Sequence, residues 1–147
     1  MSSDLLNLFT ILVIAYIVFG TWVEFKNPLW RKLSNNFKTE WISHKIIGAT
    51  TLYLWDKEKN SWLNHVYIDV SENGLGIYPP RFKRYMSSIL IPWDEIDING
   101  RVYKGVFQGL RFKCFSRLQL TVRKSNVILA IPYRYHKHIK KLNMSAK

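Results

Sequence analysis

The sequence predicts a membrane-anchored α+β chain: an amino-terminal transmembrane helix, then a mainly antiparallel β barrel or sandwich closed by a carboxyl-terminal helix. Three observations predict it. Leu5 to Val23, LLNLFTILVIAYIVFGTWV, carries no charge between Asp4 and Glu24. From residue 50 the apolar pattern changes to a period of two. Near the end, Tyr135, Ile139 and Leu142 return to helical spacing.

The opening run is long enough, at about 1.5 Å of rise per residue, to span a bilayer's hydrocarbon core. Trp22 sits where an interfacial aromatic belongs. A helix apolar on every face has no solvated side, and the rest of this chain is too small to surround it as a core. A cleaved signal peptide wants a basic start and small residues at its end, but the chain begins MSSD and the run ends in Phe19, Trp22 and Val23. Residues 1–27 are therefore read as an uncleaved single-pass anchor. After it about 120 residues remain, enough for one compact domain.

All 22 Lys and Arg lie past Glu24, with eight of the ten acids, so that part carries a formal +14 against +12 for the whole chain. Such an excess attracts polyanions, either acidic phospholipid headgroups or nucleic acid. The basic flank of the anchor (Lys26, Arg31, Lys32, Lys38) places the carboxyl-terminal domain in the cytoplasm and the amino terminus outside. Cys114 is single, so no internal disulfide forms.

Residues 28–49 are read as an amphipathic connector. Trp30, Leu33, Phe37, Trp41 and Ile42 make an apolar helical stripe interleaved with Arg31, Lys32 and Lys38. The stripe either lies in the headgroup plane or packs on the following domain. Ser34-Asn35-Asn36 leaves one helix or two short ones open.

Residues 50–142 form the β domain. Thr51 to Trp55 is the first strand, with Asp56 to Asn60 as a solvated turn. His65 to Val70 and Leu75 to Tyr78 flank a turn at Glu72-Asn73-Gly74, where Asn-Gly is a strong hairpin signal. Arg81 to Arg84 is a basic loop, and Ser88 to Ile91 resumes the strand pattern. Ile98, Val102, Val106 and Leu110 mark further short strands around glycines 100, 105 and 109. Leu110 to Phe115 and Arg117 to Arg123 alternate strictly, with apolar residues on one face and mostly basic or polar ones on the other. Lys124-Ser125-Asn126 turns into Val127 to Ile131, a run fit for a central strand, and residues 143–147 are a flexible tail.

Two segments carry a family pattern: Val66 to Ile77, with its Gly74-Leu75 turn, and Leu90-Ile91-Pro92-Trp93-Asp94-Glu95-Ile96. They resemble the strand, GL turn, strand and IPWxxI signature of pleckstrin-homology-like domains in small uncharacterised bacterial single-pass membrane proteins. Ile131-Pro132-Tyr133-Arg134 resembles the closing strand and helix entry of GRAM- and PH-like modules. The resemblance implies a PH-like fold on a bacterial inner membrane. It specifies turns and core, and implies no catalytic role and no phosphoinositide motif.

The search for chemistry yields neither a phosphate-cradling loop nor a metal set. His136 and His138 stand two apart and diverge on a helix, while His44 and His65 are isolated. Asp94, Glu95 and Asp97 suit pairing with Lys or Arg better than acid-base work. No enzyme and no cofactor are expected. The candidate lipid- or partner-binding cations are Lys26, Arg31, Lys32 and Lys38 in the connector region, Arg81, Lys83 and Arg84 in a loop, and Arg111, Lys113, Arg117 and Arg123 on strands. The leading expectation is a domain that docks on the anionic leaflet and binds or scaffolds a protein partner. An accessory or immunity-type subunit with Trp55, Trp62 and Tyr85 as aromatic contacts is the alternative, and nucleic-acid binding ranks third.

Overall fold

The computed structural model describes residues 3–25, 27–40, 47–79, 86–103 and 116–145. Helix α1 (Ser3–Phe25) is followed by α2 (Pro28–Phe37) and seven strands: β1 (Ile47–Trp55), β2 (Asn60–Ser71), β3 (Gly74–Tyr78), β4 (Ile89–Ile91), β5 (Ile96–Tyr103), β6 (Ser116–Val122) and β7 (Val127–Pro132). Helix α3 (His136–Ser145) closes the chain. The described strands form one antiparallel sheet in the order β4-β3-β2-β1-β7-β6-β5.

That order forces curvature. Laid flat, the edge strands β4 and β5 would stand about 29 Å apart at ~4.8 Å per strand. Yet only Pro92 to Glu95 separates Ile91 from Ile96, and such a link reaches about 18 Å. The sheet therefore curls around a core that includes Leu52, Leu63, Ile77, Ile91, Leu120 and Leu129, each fully buried.

The transmembrane anchor is corrected by the structure. Among the described residues no helix is long and apolar enough to cross a membrane. The described fold is an antiparallel β-sheet domain with helices, and the expected transmembrane span is not among those helices.

The connector turns out to belong to the domain. Asn27 caps α2, its Oδ1 accepting from Leu29 N and Trp30 N at 3.1 Å each, and Pro28 occupies the first turn, where its missing N–H costs nothing. Leu29, Trp30, Leu33 and Phe37 are buried in the common core, packed toward β4, β1 and β7. Ser34-Asn35-Asn36 do not break α2, which ends where Lys38 bridges to Ile89. Trp41 and Ile42 of the expected stripe lie outside the described residues.

Two bulges reshape the expected strands. In β2, Leu63 pairs with Leu52 but Val66 pairs with Thr50, so an extra residue enters there and His65 adopts φ 56°. The bulge turns Leu63 and Val66 both inward. In β5, Gly100 sits at φ 114° where the register against β6 shifts. Ile98 and Val102 therefore lie on one strand, not two. Residues 104–115, with the strand expected at Leu110 to Phe115, lie outside the described residues. The β2–β3 turn is Glu72-Asn73, between the paired Ser71 and Gly74. Gly74 has φ 147°, and a Cβ there would run into the carbonyl of Ile91.

The IPWxxI segment joins distant parts. Trp93 is buried and its Nε1 donates to Ser71 O at 2.8 Å, pinning the β2–β3 hairpin to the corner between β4 and β5. Helix α3 buries Tyr135, just before it, and Ile139 and Asn143, each four apart. The expected flexible tail is helical to Ser145, and Asn143 Nδ2 donates to Trp93 O at 2.9 Å and Ile96 O at 3.0 Å. Asn143→Ala removes both donors and leaves the buried carbonyls without them, which costs about 1–3 kcal/mol. Urea denaturation followed by tryptophan fluorescence checks this, and an unchanged midpoint would rule out the clamp.

Candidate functional site

The sequence-selected cations do not converge on one site. Lys26, Arg81, Lys83, Arg84, Arg111 and Lys113 lie outside the described residues, as does Tyr85. Arg31, Lys32 and Lys38 are exposed on or just after α2, a consequence of the opposite face being buried. Lys32 Nζ lies 3.4 Å from Asp56 Oδ2 and ties α2 to the β1–β2 turn. The same turn is fastened to the start of α2 by Asn27 Nδ2, which donates to Ser61 Oγ at 3.0 Å.

Arg123 faces Asp97 through two hydrogen bonds of 2.9 Å, from Nε and Nη2. This bidentate contact is the main reason its guanidinium holds its proton above the ordinary arginine value. The backbone N–H of the next residue, Lys124, donates to Glu95 Oε2 at 3.1 Å. Of the acidic cluster after Trp93, Asp97 pairs with Arg123 and Glu95 accepts from the Lys124 backbone, both at the β6–β7 turn.

Arg117 has a structural task. It lies opposite Pro132 in β7, and the ladder from β7 to β1 stops at the Tyr53–Ala130 pair. Pro132 has no N–H to offer β1. Arg117 Nη1 reaches across and donates to Thr51 O at 3.2 Å, with a longer contact to Thr50 Oγ1 at 3.4 Å. Its Cζ stands 5.4 Å from the centre of the Tyr53 ring. Burial lowers its affinity for the proton, against the attraction of Tyr53, and Arg134 pushes the same way as burial.

A second set of groups gathers at the end of β5 and the start of α3. Arg101 Cζ lies 3.9 Å over the Tyr133 ring, and Tyr133 stacks on His136 at 4.9 Å with planes 16° apart. Arg134 lies 5.1 Å over Tyr135 and donates to its hydroxyl at 3.2 Å. Beyond them Lys137, His138, Lys140 and Lys141 are exposed. The helical spacing of Tyr135, Ile139 and Leu142 leaves Lys137, Lys140 and Lys141 on the exposed side, outside the candidate cations named from the sequence. The signal that identifies them is the absence of any acid past Asp97.

Among the described residues no three His, Cys, Asp or Glu side chains gather as a metal site. The arrangement offers hydrogen-bond donors, positive charge and aromatic faces, which together suit the binding of anions. No known protein family matches the chain, and no curated protein or solved structure matches it either.

The β1–β2 turn has a pH-sensitive hinge. Asp56 Oδ1 accepts from Glu58 N at 3.0 Å and Lys59 N at 2.9 Å. These backbone donors, with a smaller contribution from Lys32, hold its carboxyl below the ordinary value of 3.8. A lowered folded value means that the stabilisation is present above 3.8 and is lost as pH falls through the folded value. Amide exchange at Glu58 and Lys59 should therefore speed up only in acid. Asp56→Asn should flatten that dependence, and an unaltered acid response in this variant would exclude Asp56 as its source.

Proposed function

We propose that the chain is a non-enzymatic binding module working at an anionic lipid surface, where its basic β domain docks and braces a protein partner. The observation that carries this reading is α1. Leu5, Phe9, Ile11, Tyr16 and Phe19 are 58%, 64%, 62%, 80% and 65% exposed. At 100° per residue, the exposed apolar side chains from Leu5 to Phe19 surround the helix. A patch of that kind marks a surface covered by lipid or protein. The reading asks only that α1 be buried in the apolar layer, and it assigns no crossing.

The rest of the chain supports lipid as the cover. A net charge of +12 draws the domain to acidic headgroups, and each cation near such a surface contributes about 1 kcal/mol. Two peptide links separate Phe25 from Asn27, so burial of α1 holds the domain at high local concentration against the leaflet. We read the β domain as pleckstrin-homology-like, a view supported by its antiparallel strand order and its closing carboxyl-terminal helix.

Flotation of the full chain with vesicles tests the proposal. The expected result is co-flotation with neutral and anionic vesicles, with less released by salt wash from the anionic ones. A chain that stays at the bottom of the gradient with both would overturn it.

A further inference from the structure

We infer that the outward stripe of α3, with Arg134 at its start, is the face that lies on anionic phospholipid headgroups. The inference rests on the lipid-surface reading above and says which side of the domain meets the leaflet.

The charge of this chain is divided unevenly. Up to Asp97 the ten acids are matched by ten Lys and Arg, so that portion is formally neutral. The whole excess of +12 lies in residues 98–147, where no acid occurs. In the fold that portion supplies most of β5, all of β6 and β7, and α3. The cations of β6 are engaged inside the domain, Arg117 with β1 and Arg123 with Asp97. In and before α3 the pattern differs: Lys137, Lys140 and Lys141 are exposed, and among the described residues neither they nor Arg134, which donates to the Tyr135 hydroxyl, have a carboxylate partner.

The stripe has a fixed direction. Ile139 and Asn143 are buried, and the two hydrogen bonds from Asn143 prevent the helix from rotating. Lys137, Lys140, Lys141 and Met144 then share the opposite face at i, i+3, i+4 and i+7. Met144 is 68% exposed, at the end of the row of lysines. Three ammonium groups in line with an exposed thioether match a headgroup layer over acyl chains: lysine stems lie on the apolar boundary while their heads stay among phosphates. At the start of the helix the Arg101, Tyr133 and His136 stack adds aromatic surface beside the same cations. A nucleic acid would be met by the charge but gives Met144 nothing to enter. The β1–β2 turn is the contrast, since exposed Lys57 and Lys59 alternate there with Asp56 and Glu58.

Lysine acylation of the full, unmutated chain, read by mass spectrometry, tests the inference. The chain is labelled on neutral phosphatidylcholine vesicles, on vesicles containing phosphatidylglycerol, and with a single-stranded oligonucleotide. The expected result is several-fold slower labelling of Lys137, Lys140 and Lys141 on anionic than on neutral vesicles. Lys57 and Lys59 should be unchanged, and protection should be lost in ~1 M salt, where screening shrinks to about 3 Å. Equal labelling of the α3 lysines on both kinds of vesicle-bound chain overturns the docking face and leaves the lipid-surface reading standing. Protection by the oligonucleotide but not by anionic vesicles overturns it in favour of nucleic acid. A chain that binds neither vesicle removes both the face and the reading beneath it.

Discussion

Burial of one short helix governs the arrangement of the rest. Leu29, Trp30, Leu33 and Phe37 enter the same core as the strands. Each such side chain contributes about 1.5–3 kcal/mol on burial, as an upper estimate because the unfolded chain already hides some of that surface. The Asn27 cap adds about 1 kcal/mol, so packing decides where α2 sits and capping decides where it starts. Arg31, Lys32 and Lys38 point outward because the other face is committed. The start of α2 is thereby fastened to Ser61 through Asn27, two peptide links from the end of α1.

The cations of the domain are not equivalent, and their differences follow from neighbours, not from number. Arg117 replaces a donor that Pro132 lacks, Arg123 is held by Asp97, and Lys32 is held by Asp56. Counting basic residues along the chain gives all of them the same weight. The structure gives these three a partner within the domain, while Lys137, Lys140 and Lys141 of α3 are exposed. Buried Tyr78 shows the reverse economy: burial, with the nearby Asp69 charge as the smaller cause, raises its hydroxyl pKa and keeps it neutral.

Much of the fold was legible where periodicity is undisturbed. The strict alternation from Arg117 to Arg123 puts Leu118, Leu120 and Val122 inside, and the α2 stripe is recognisable from the spacing of Trp30, Leu33 and Phe37. Reading failed where one residue breaks the period. The bulge at His65 inverts the phase of β2, so its first half was assigned to no strand, and Gly100 made one strand look like two. Asn143 has no sequence signature, because an amide facing two carbonyls is indistinguishable from an amide facing water. The transmembrane reading rested on the length, apolarity and flanks of the opening run, and these say that a helix must be covered without saying that it crosses. The α3 cations were not among the candidates because cations were grouped by element, beside the first helix, in one loop and on strands, not by where acids are lacking.

The central claim is that the apolar surface of α1 cannot remain bare in water. Sedimentation velocity of the full chain, with and without a mild detergent, tests this most directly. The account predicts a single small species in detergent and large, heterogeneous assemblies in plain buffer. A monodisperse monomer in buffer without detergent would contradict it.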